Sequence, residues 1–184
     1  MGERYRREGE TTLIEIKLNS IQQLFNSLDP SPFHEKDLDA DAEDYIVGAA
    51  REFATHAPLK LVFHLPTDHV VRAETAGLAA AIHNYFAYRR DMTLRDLRFQ
   101  LHLGRHSLVI GLVFLFACMG LRQLFFVPSV TTLDHIFAEG ILISGWVAMW
   151  RPIQIFLYDW WPLRRMARVY DKLTRIPVDV RETG

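Results

Sequence analysis

Residues 107–127 read SLVIGLVFLFACMGLRQLFFV and contain a single charged side chain, that of Arg122. An α-helix rises about 1.5 Å per residue, so a helix over this stretch is about 30 Å long, the thickness of the hydrocarbon core of a bilayer. A second apolar run covers residues 136–157 after a short connection. A helix in a soluble protein normally keeps one polar face, and the first run has none. The sequence therefore predicts a membrane protein with a two-helix hairpin.

The rest of the chain differs in composition from this hairpin. The whole chain is 49% hydrophobic and 23% charged, with a net charge of −1, but these averages combine a polar first half with an apolar second half. Such a division is typical of a small head attached to a membrane anchor. We therefore expect a disordered arm over residues 1–10, a cytoplasmic α+β head over 11–92, an amphipathic linker helix over 93–106, a transmembrane hairpin with a cytoplasmic aromatic collar over 107–161, and a basic helix with an edge strand over 162–184.

Periodicity predicts the first elements of the head. Apolar and polar side chains alternate over residues 11–18 and 58–65, which predicts two strands. Helical spacing predicts a helix over residues 41–55. Either Asp39 or Asp41 is expected to cap the start of this helix, where carboxylates are favourable.

The remaining residues are expected to complete the head. A helix is predicted over residues 68–88, which either runs on or breaks near residues 91–93, where Asp91 or Thr93 could cap a new helix. Ile176, Val178 and Val180 alternate with polar residues and a proline, which predicts a third strand at a sheet edge. The predicted fold class is an α+β membrane protein, with a small cytoplasmic head of two or three strands with helices, plus a two-helix transmembrane hairpin. Because so small a sheet buries little apolar surface, we expect a homo-oligomer.

The basic residues indicate the orientation across the membrane. They flank the two apolar helices on one side, whereas the connecting turn, residues 127–131, has none. Because cytoplasmic loops carry an excess of Lys and Arg, both termini are expected in the cytoplasm. The flanking basic residues are Arg89, Arg90, Arg95, Arg98 and Arg105 before the first helix, and Arg164, Arg165, Arg168, Lys172 and Arg175 after the second.

Two charges within the apolar runs form a candidate intramembrane pair. A hairpin that turns at Pro128 places Arg122 and Glu139 at similar depth in the outer leaflet. An unpaired ionisable side chain there costs about 2.5–3.5 kcal/mol on insertion scales. The pair is interpreted either as part of a translocation path or lipid-headgroup site, or as a structural pair that stabilises the hairpin. In a further interpretation, Arg122 reaches out to the interface.

The segment 150–162 is the most unusual part of the chain. Its aromatic density exceeds what is needed to span a bilayer, and two opposite charges lie about two helical turns apart within it. It is interpreted as an interface collar that fixes the head against the membrane or forms a lipid or partner groove, or else as a plain aromatic anchor. The collar residues are Trp150, Arg151, Tyr158, Asp159, Trp160 and Trp161.

Signals for catalysis, metals and nucleotides are weak, and we predict no catalytic residue, cofactor or metal site. Residues 37–48 imitate a calcium loop but have alanine where glycine is needed and glycine where a glutamate is needed. His102 and His106 share a helix face, yet no third ligand is evident. The spacing of Gly140, Ser144 and Ala148 permits close helix packing. No glycine-rich phosphate loop is present, and the arginines are better explained by topology than by nucleic acid.

Two stretches carry a resemblance to a known family. They are LDPSPF at residues 28–33, continuing to Tyr45 and Ile46, and the aromatic segment over residues 146–162. Together they resemble a small, functionally uncharacterised family of bacterial inner-membrane proteins with an N-terminal cytoplasmic α/β head and a two-helix membrane hairpin. The resemblance implies a location in the bacterial inner membrane and adds no catalytic residue.

These observations favour a non-enzymatic function. The leading hypothesis is an integral membrane scaffold or adaptor, homo-oligomeric, whose head binds a cytosolic protein or another copy of the chain. The alternative is a subunit of an oligomeric channel or transporter, with Arg122 and Glu139 along an axial path. A third and weaker hypothesis is a membrane-bound enzyme that uses histidines or acidic residues of the head.

Overall fold

The computed structural model describes residues 5–67, 70, 77–125 and 132–183, apart from the side chains of His34 and Phe125. The chain divides into two compact units. The first comprises Met1–Thr93 with Arg165–Gly184 and is called the head. The second, Leu94–Arg164, is called the hairpin unit.

The head contains a four-stranded mixed sheet. The strands are β1 (Arg7–Glu8), β2 (Thr11–Lys17), β3 (Leu59–Leu65) and β4 (Val178–Glu182), in the spatial order β1-β2-β3-β4. β1 and β2 are antiparallel, whereas β2, β3 and β4 are parallel neighbours. The sheet thus has one strand more than the two or three that the sequence predicts.

The additional strand corrects the prediction of a disordered arm over residues 1–10. Arg7–Glu8 pairs with β2 through a tight turn in which Gly9 adopts a φ of +62°. This left-handed conformation is open to glycine at little steric cost. Two residues are too few to show alternation, and the charged composition of residues 1–10 is typical of a disordered arm. The sequence therefore does not predict this strand, although its pairing partner is adjacent in the chain.

Helix α1 (Ala40–Glu52) follows β2 in the chain and leads into β3. Its cap is Asp39, whose side chain accepts a hydrogen bond from the Asp41 backbone N–H at 3.0 Å. The buried residues of α1 are Ile46, Val47, Ala49 and Ala50. They pack in one core with the face of β2 and β3 that carries Ile14, Leu61 and Phe63, which are completely buried.

Helix α2 (Leu78–Phe125) is continuous and belongs to both units. Of the two arrangements expected near residues 91–93, the helix runs on, and the Thr93 hydroxyl donates to the Arg89 carbonyl at 2.9 Å within the same helix instead of capping a new one. The linker expected over residues 93–106 is therefore part of one long helix. Of the helix predicted over residues 68–88, positions 68–69 and 71–76 lie outside the described residues.

The second apolar run forms a series of helical segments. Helix α3 covers Thr132–Ala148, α4 covers Trp150–Gln154, a π-helical turn covers Ile155–Asp159, and α5 covers Trp160–Leu173. Pro152 lies in the first turn of α4. Because proline has no N–H, it cannot donate to the Ala148 carbonyl, and α3 ends there.

The hairpin unit packs its two helical arms through small residues. The antiparallel contacts place Gly104 against Ile155, Gly111 against Ala148, and Gly145 against Cys118. The Cβ of an alanine at Gly111 would stand 3.1 Å from the Ala148 carbonyl oxygen. The close contacts are therefore made at glycines other than Gly140, which has open space around its Cα and faces away from this seam.

Both apolar helices are long and apolar enough to cross a membrane. Only 11% and 17% of their most apolar 18-residue stretches are buried, unlike the core helix of a soluble protein. The hairpin turn predicted over residues 127–131 lies outside the described residues.

Candidate functional site

The two predicted intramembrane charges are on the surface of the hairpin unit. Arg122 and Glu139 are both exposed, and no ion pair joins them in the described part of the chain. Arg122 borders an open depression of about 350 Å³ together with Met119, Gln123 and Leu142. A stabilising pair between the two helices is therefore not formed within this copy, and the other interpretations of these charges stay predictions.

The charges of the aromatic collar are close to each other. Arg151 and Asp159 approach to 3.7 Å between a guanidinium nitrogen and a carboxylate oxygen. Arg151 lies in α4 and Asp159 at the end of the π-helical turn, eight positions later. A helix returns to the same face after about two turns, so this contact agrees with the predicted placement on one face. With Arg151 more than half exposed, the pair contributes little to stability.

The π-helical turn in the collar has an identifiable cause. Pro162 lies in the first turn of α5, and a proline ring clashes with the carbonyl of the fourth residue before it, here Tyr158. A π turn moves these carbonyls by widening the helix. The indole N–H of Trp160 donates to the Phe156 carbonyl at 2.7 Å and so occupies one backbone acceptor within the turn. Single π turns inside α-helices occur frequently at functional sites.

The outer surface of the collar is apolar and open. Trp150 and Tyr158 are 72% and 68% exposed. With Ile153, Gln154 and Leu157 they line a shallow depression of about 540 Å³. Large exposed aromatic residues beside arginines are typical of a membrane interface, where an apolar ring and a polar tip are both accommodated.

The histidine pair at the start of the apolar run is also formed. The Nε2 atoms of His102 and His106 lie 2.8 Å apart, and both rings are exposed. One ring donates and the other accepts in this contact. Within the described residues there is no group of three or more His, Cys, Asp or Glu side chains placed to hold a metal ion.

A polar cluster in the head was not predicted. Glu43 of α1 accepts hydrogen bonds from the Tyr85 hydroxyl at 2.6 Å, from Arg89 Nε at 2.8 Å and from the Tyr170 hydroxyl at 3.0 Å. The guanidinium carbon of Arg89 lies 5.6 Å from the centre of the Tyr170 ring. This cluster joins α1, α2 and α5, and only 13% of the Glu43 side chain is exposed.

The electrostatics of this cluster favour one protonation state. Burial raises the pKa of Tyr85, and its hydrogen bond to Glu43 raises it further. Burial also raises the pKa of Tyr170. For Arg89, burial lowers the pKa, but the hydrogen bond to Tyr170 and the charge of Glu43 outweigh it and the net shift is upward. The tyrosines therefore stay protonated and Arg89 stays charged, as expected of a structural joint.

A second unpredicted feature covers the sheet face opposite α1. Lys60 Nζ lies 2.9 Å from an Asp179 carboxylate oxygen, and Arg181 lies 2.7 Å from Glu8 and 3.0 Å from Asp179. The hydrogen bond from Lys60 lowers the pKa of the Asp179 carboxyl, and the bond from Arg181 acts in the same direction. This ion-pair lattice connects β1, β3 and β4.

The same face carries a further polar contact and two buried apolar residues. His64 Nε2 lies 3.0 Å from a Glu15 carboxylate oxygen. Leu13 and Val62 are 1% and 0% exposed, although the alternation places them on the outer face. In the register of the sheet, Leu13 is opposite Lys60, and Val62 lies between Glu15 and Asp179. The charged side chains and their methylene groups therefore shield this face from water.

Comparison with protein-family models, with curated proteins and with solved structures found no match. The resemblance to a bacterial inner-membrane family therefore stays a prediction.

Sequence reasoning missed the two polar features of the head for a common reason. Their members lie far apart in the chain, from Glu8 to Arg181 and from Glu43 to Tyr170. Arg89 was counted only as a flanking positive charge. The available signal was local: Tyr85 and Arg89 are four residues apart and so share one helix face, which indicates a polar partner when that face also carries buried residues.

Proposed function

We propose that this protein is an integral membrane scaffold or adaptor that forms homo-oligomers and presents its head to a cytosolic protein partner. The observation that carries the proposal is the distribution of apolar side chains in the hairpin unit. Phe116, Trp146 and Val147 are 64%, 63% and 66% exposed, whereas the buried seam is formed where glycines meet the facing helical arm. A continuous apolar surface of this kind is stable in lipid and promotes aggregation in water.

The flanking charges support an orientation with both termini in the cytoplasm at a bacterial inner membrane. Some of these basic residues also have partners in the head. Arg90 pairs with Asp171, and Lys172 donates to the Ala54 carbonyl at 3.0 Å. Arg164 lies over the Trp160 ring at 5.6 Å, a contact suited to the level of the lipid headgroups.

The seam of the hairpin unit favours an anchor over a transport path. It is formed where Gly104, Gly111 and Gly145 meet the facing helical arm, and their neighbours there include the apolar side chains of Ile155 and Leu115. In the head, the charged side chains of the lattice pair with one another on the outer face of the sheet. A surface of this kind suits protein binding.

A channel or transporter subunit is retained as a second candidate because of one observation. Arg122 and Glu139 are exposed on the apolar hairpin unit without pairing to each other, although burying either in lipid alone is costly. In an oligomer they would face a neighbouring copy or a shared path. Changing Glu139 to Lys in reconstituted liposomes should alter ion flux if the path exists, and unchanged or absent flux would exclude this candidate.

The membrane anchor is tested by fractionation of cells that express the full chain. We expect the protein to remain in the membrane pellet after washing with alkaline carbonate and with high salt, and to be released only by detergent. Tags at the two termini should both be protected from a protease added outside intact spheroplasts. Release by carbonate, or opposite accessibility of the two tags, would refute the anchor or its orientation.

The role of the apolar surface is tested by a matched pair of substitutions. Val113→Asp places a charge at a residue that is 65% exposed in the middle of the first apolar run. Because a charge at the centre of a membrane helix costs about 2.5–3.5 kcal/mol, the membrane fraction should fall strongly. Thr132→Asp, at the first residue of α3, should have little effect, and equal behaviour of the two variants would contradict membrane insertion.

A further inference from the structure

The outer edge of β4 is open among the described residues. β4 is the last strand in the order β1-β2-β3-β4, and no described strand pairs with its other side. An edge strand with unpaired backbone groups is a template for pairing with another chain. The positions of the unpaired backbone groups along β4 determine which strand can pair with this edge.

The hydrogen bonds to β3 show which groups of β4 point outward. The Leu61 N–H donates to the Pro177 carbonyl, and the Thr183 N–H donates to the Leu65 carbonyl, each at 2.9 Å. In a parallel ladder alternate residues bond to the same neighbour, so the odd-numbered residues of this segment face β3. The N–H and C=O groups of Val178, Val180 and Glu182 therefore point away from the sheet.

Antiparallel pairing of β4 with a second copy satisfies all of these groups in one register. When the two strands are centred on Val180, Val180 faces its own counterpart, and Val178 faces Glu182 of the second copy. These are the hydrogen-bonded pairs of an antiparallel ladder, so each outward N–H meets an outward C=O. The arrangement is two-fold symmetric, as in most homodimers.

The same register aligns opposite charges. The residues between the hydrogen-bonded pairs are Asp179 and Arg181. Asp179 of each copy faces Arg181 of the other copy. Such pairs have their Cα atoms about 4.5 Å apart and their side chains in contact. Both side chains already belong to the ion-pair lattice with Lys60 and Glu8, so the pairing would join two lattices into one.

We infer that β4 is a self-association surface at which two copies of this chain pair antiparallel about Val180, forming a sheet that continues through both heads. The inference deepens the proposed function, on whose homo-oligomeric scaffold it rests, by naming the surface through which the copies meet. The outward backbone groups and the alignment of Asp179 with Arg181 together specify the partner as a second copy.

The inference is tested by register-specific disulfide cross-linking of the full chain in native membranes. Two forms with tags of different size are co-expressed, both in a Cys118→Ala background. One carries Asp179→Cys and the other Arg181→Cys. In the inferred register these cysteines face each other, while Arg181 and Asp179 of the same two copies keep their opposite charges.

After mild oxidation, the amount of mixed disulfide dimer should be at least about tenfold greater than the amount of either dimer formed by two copies of the same variant. The reason is geometric. Two copies of residue 179 are offset by two positions along the strand, which separates their Cα atoms by about 8 Å, and cysteines more than about 7 Å apart cannot be bridged. If no dimer is cross-linked, or if the mixed dimer and the two same-variant dimers form in similar amounts, the inference is overturned.

A backbone substitution gives an independent second test. Val180→Pro removes an N–H that faces the open edge and leaves the bonds to β3 intact, so the head should fold. We expect it to abolish the mixed cross-link while the protein stays in the membrane pellet. Val180→Ala, which keeps the N–H, should retain the cross-link. Equal cross-linking of the two variants would refute the register.

Sedimentation distinguishes this inference from the proposed function. A pelleted protein without the register-specific cross-link would refute self-pairing through β4 and leave the membrane anchor standing. A mixed dimer recovered in the soluble fraction would support the β4 surface and refute the anchor.

Discussion

The head and the hairpin unit place their side chains in opposite ways. In the head, large residues such as Phe63 and Phe86 are completely buried, and charged side chains cover the sheet. In the hairpin unit, small residues such as Gly104 and Gly111 are buried, and large ones such as Trp146 are exposed. The difference supports the proposal that the hairpin unit lies in lipid, because an exposed aromatic side chain carries a hydration penalty in water and none in lipid.

The largest expected difference in stability between the two units comes from truncating one large aromatic side chain in each of them. Phe63→Ala should destabilise the head by about 3–5 kcal/mol, because it removes a fully buried ring and leaves a cavity. Phe116→Ala in the hairpin unit should cost less than about 0.5 kcal/mol, because that ring is 64% exposed. Urea unfolding of the detergent-solubilised full chain, followed by pulse proteolysis, measures both. Similar losses for the two variants would contradict the comparison.

In the hairpin unit, we expect stability to depend on the small residues of the seam, so enlarging a glycine there should destabilise the unit, whereas enlarging a glycine outside the seam should not. Gly111→Val should destabilise the hairpin unit by about 1–3 kcal/mol, because a Cβ there would contact the Ala148 carbonyl and the Met149 sulfur, each at 3.1 Å. Gly120→Val is the matched control, since nothing lies within 4 Å of its Cβ position. Resistance to heating in detergent is the measurement, and a control variant as unstable as Gly111→Val would exclude the glycine seam.

Removing a charge from the polar cluster tests how the head is held together. Glu43→Gln leaves Arg89 without its carboxylate partner and weakens two tyrosine hydrogen bonds, so stability should fall by about 1–3 kcal/mol. Asp41→Asn, in the same first turn of α1 but exposed, should cost less than about 1 kcal/mol. If both variants unfold at the same urea concentration, the cluster is not a joint between helices.

The smallest effect is expected from the surface lattice, and it depends on pH. The pKa of Asp179 is lower in the folded than in the unfolded chain, so its contribution is present above the ordinary carboxyl pKa and disappears as the pH falls through the folded value. Asp179→Asn should therefore cost about 0.2–1 kcal/mol at pH 7 and less at pH 2, where the carboxyl of the unfolded chain is protonated. Urea midpoints at these two pH values, with and without 1 M salt, measure the effect, and a loss that is as large at pH 2 as at pH 7, or that is unaffected by salt, would rule out an ionic origin.

The elements with strong periodicity were predictable, and those that depend on a partner were not. The alternation over β2 and β3 located both strands and the core face of Ile14 and Ile16. It did not reveal that Leu13 and Val62 on the opposite face are buried, because their cover comes from charged side chains on other strands. β1 was missed because a two-residue strand has no period of its own.

The candidate sites divide in the same way. The contact between Arg151 and Asp159 follows from their spacing on one helical face. The absence of an ion pair between Arg122 and Glu139 could not be read from the chain, because it depends on how the two helical arms face each other. The cluster around Glu43 and the lattice around Asp179 unite residues more than 100 positions apart, for which a single sequence carries no pairing signal.

The sequence by itself determined that two helices are apolar enough to cross a membrane and that an α+β head flanks them, because hydropathy and periodicity are properties of consecutive residues. The tertiary structure alone decided which glycines form the helix seam, which charges pair, and how β4 leaves an open edge beside β3. Those outcomes depend on distances between segments that the chain brings together only when it folds.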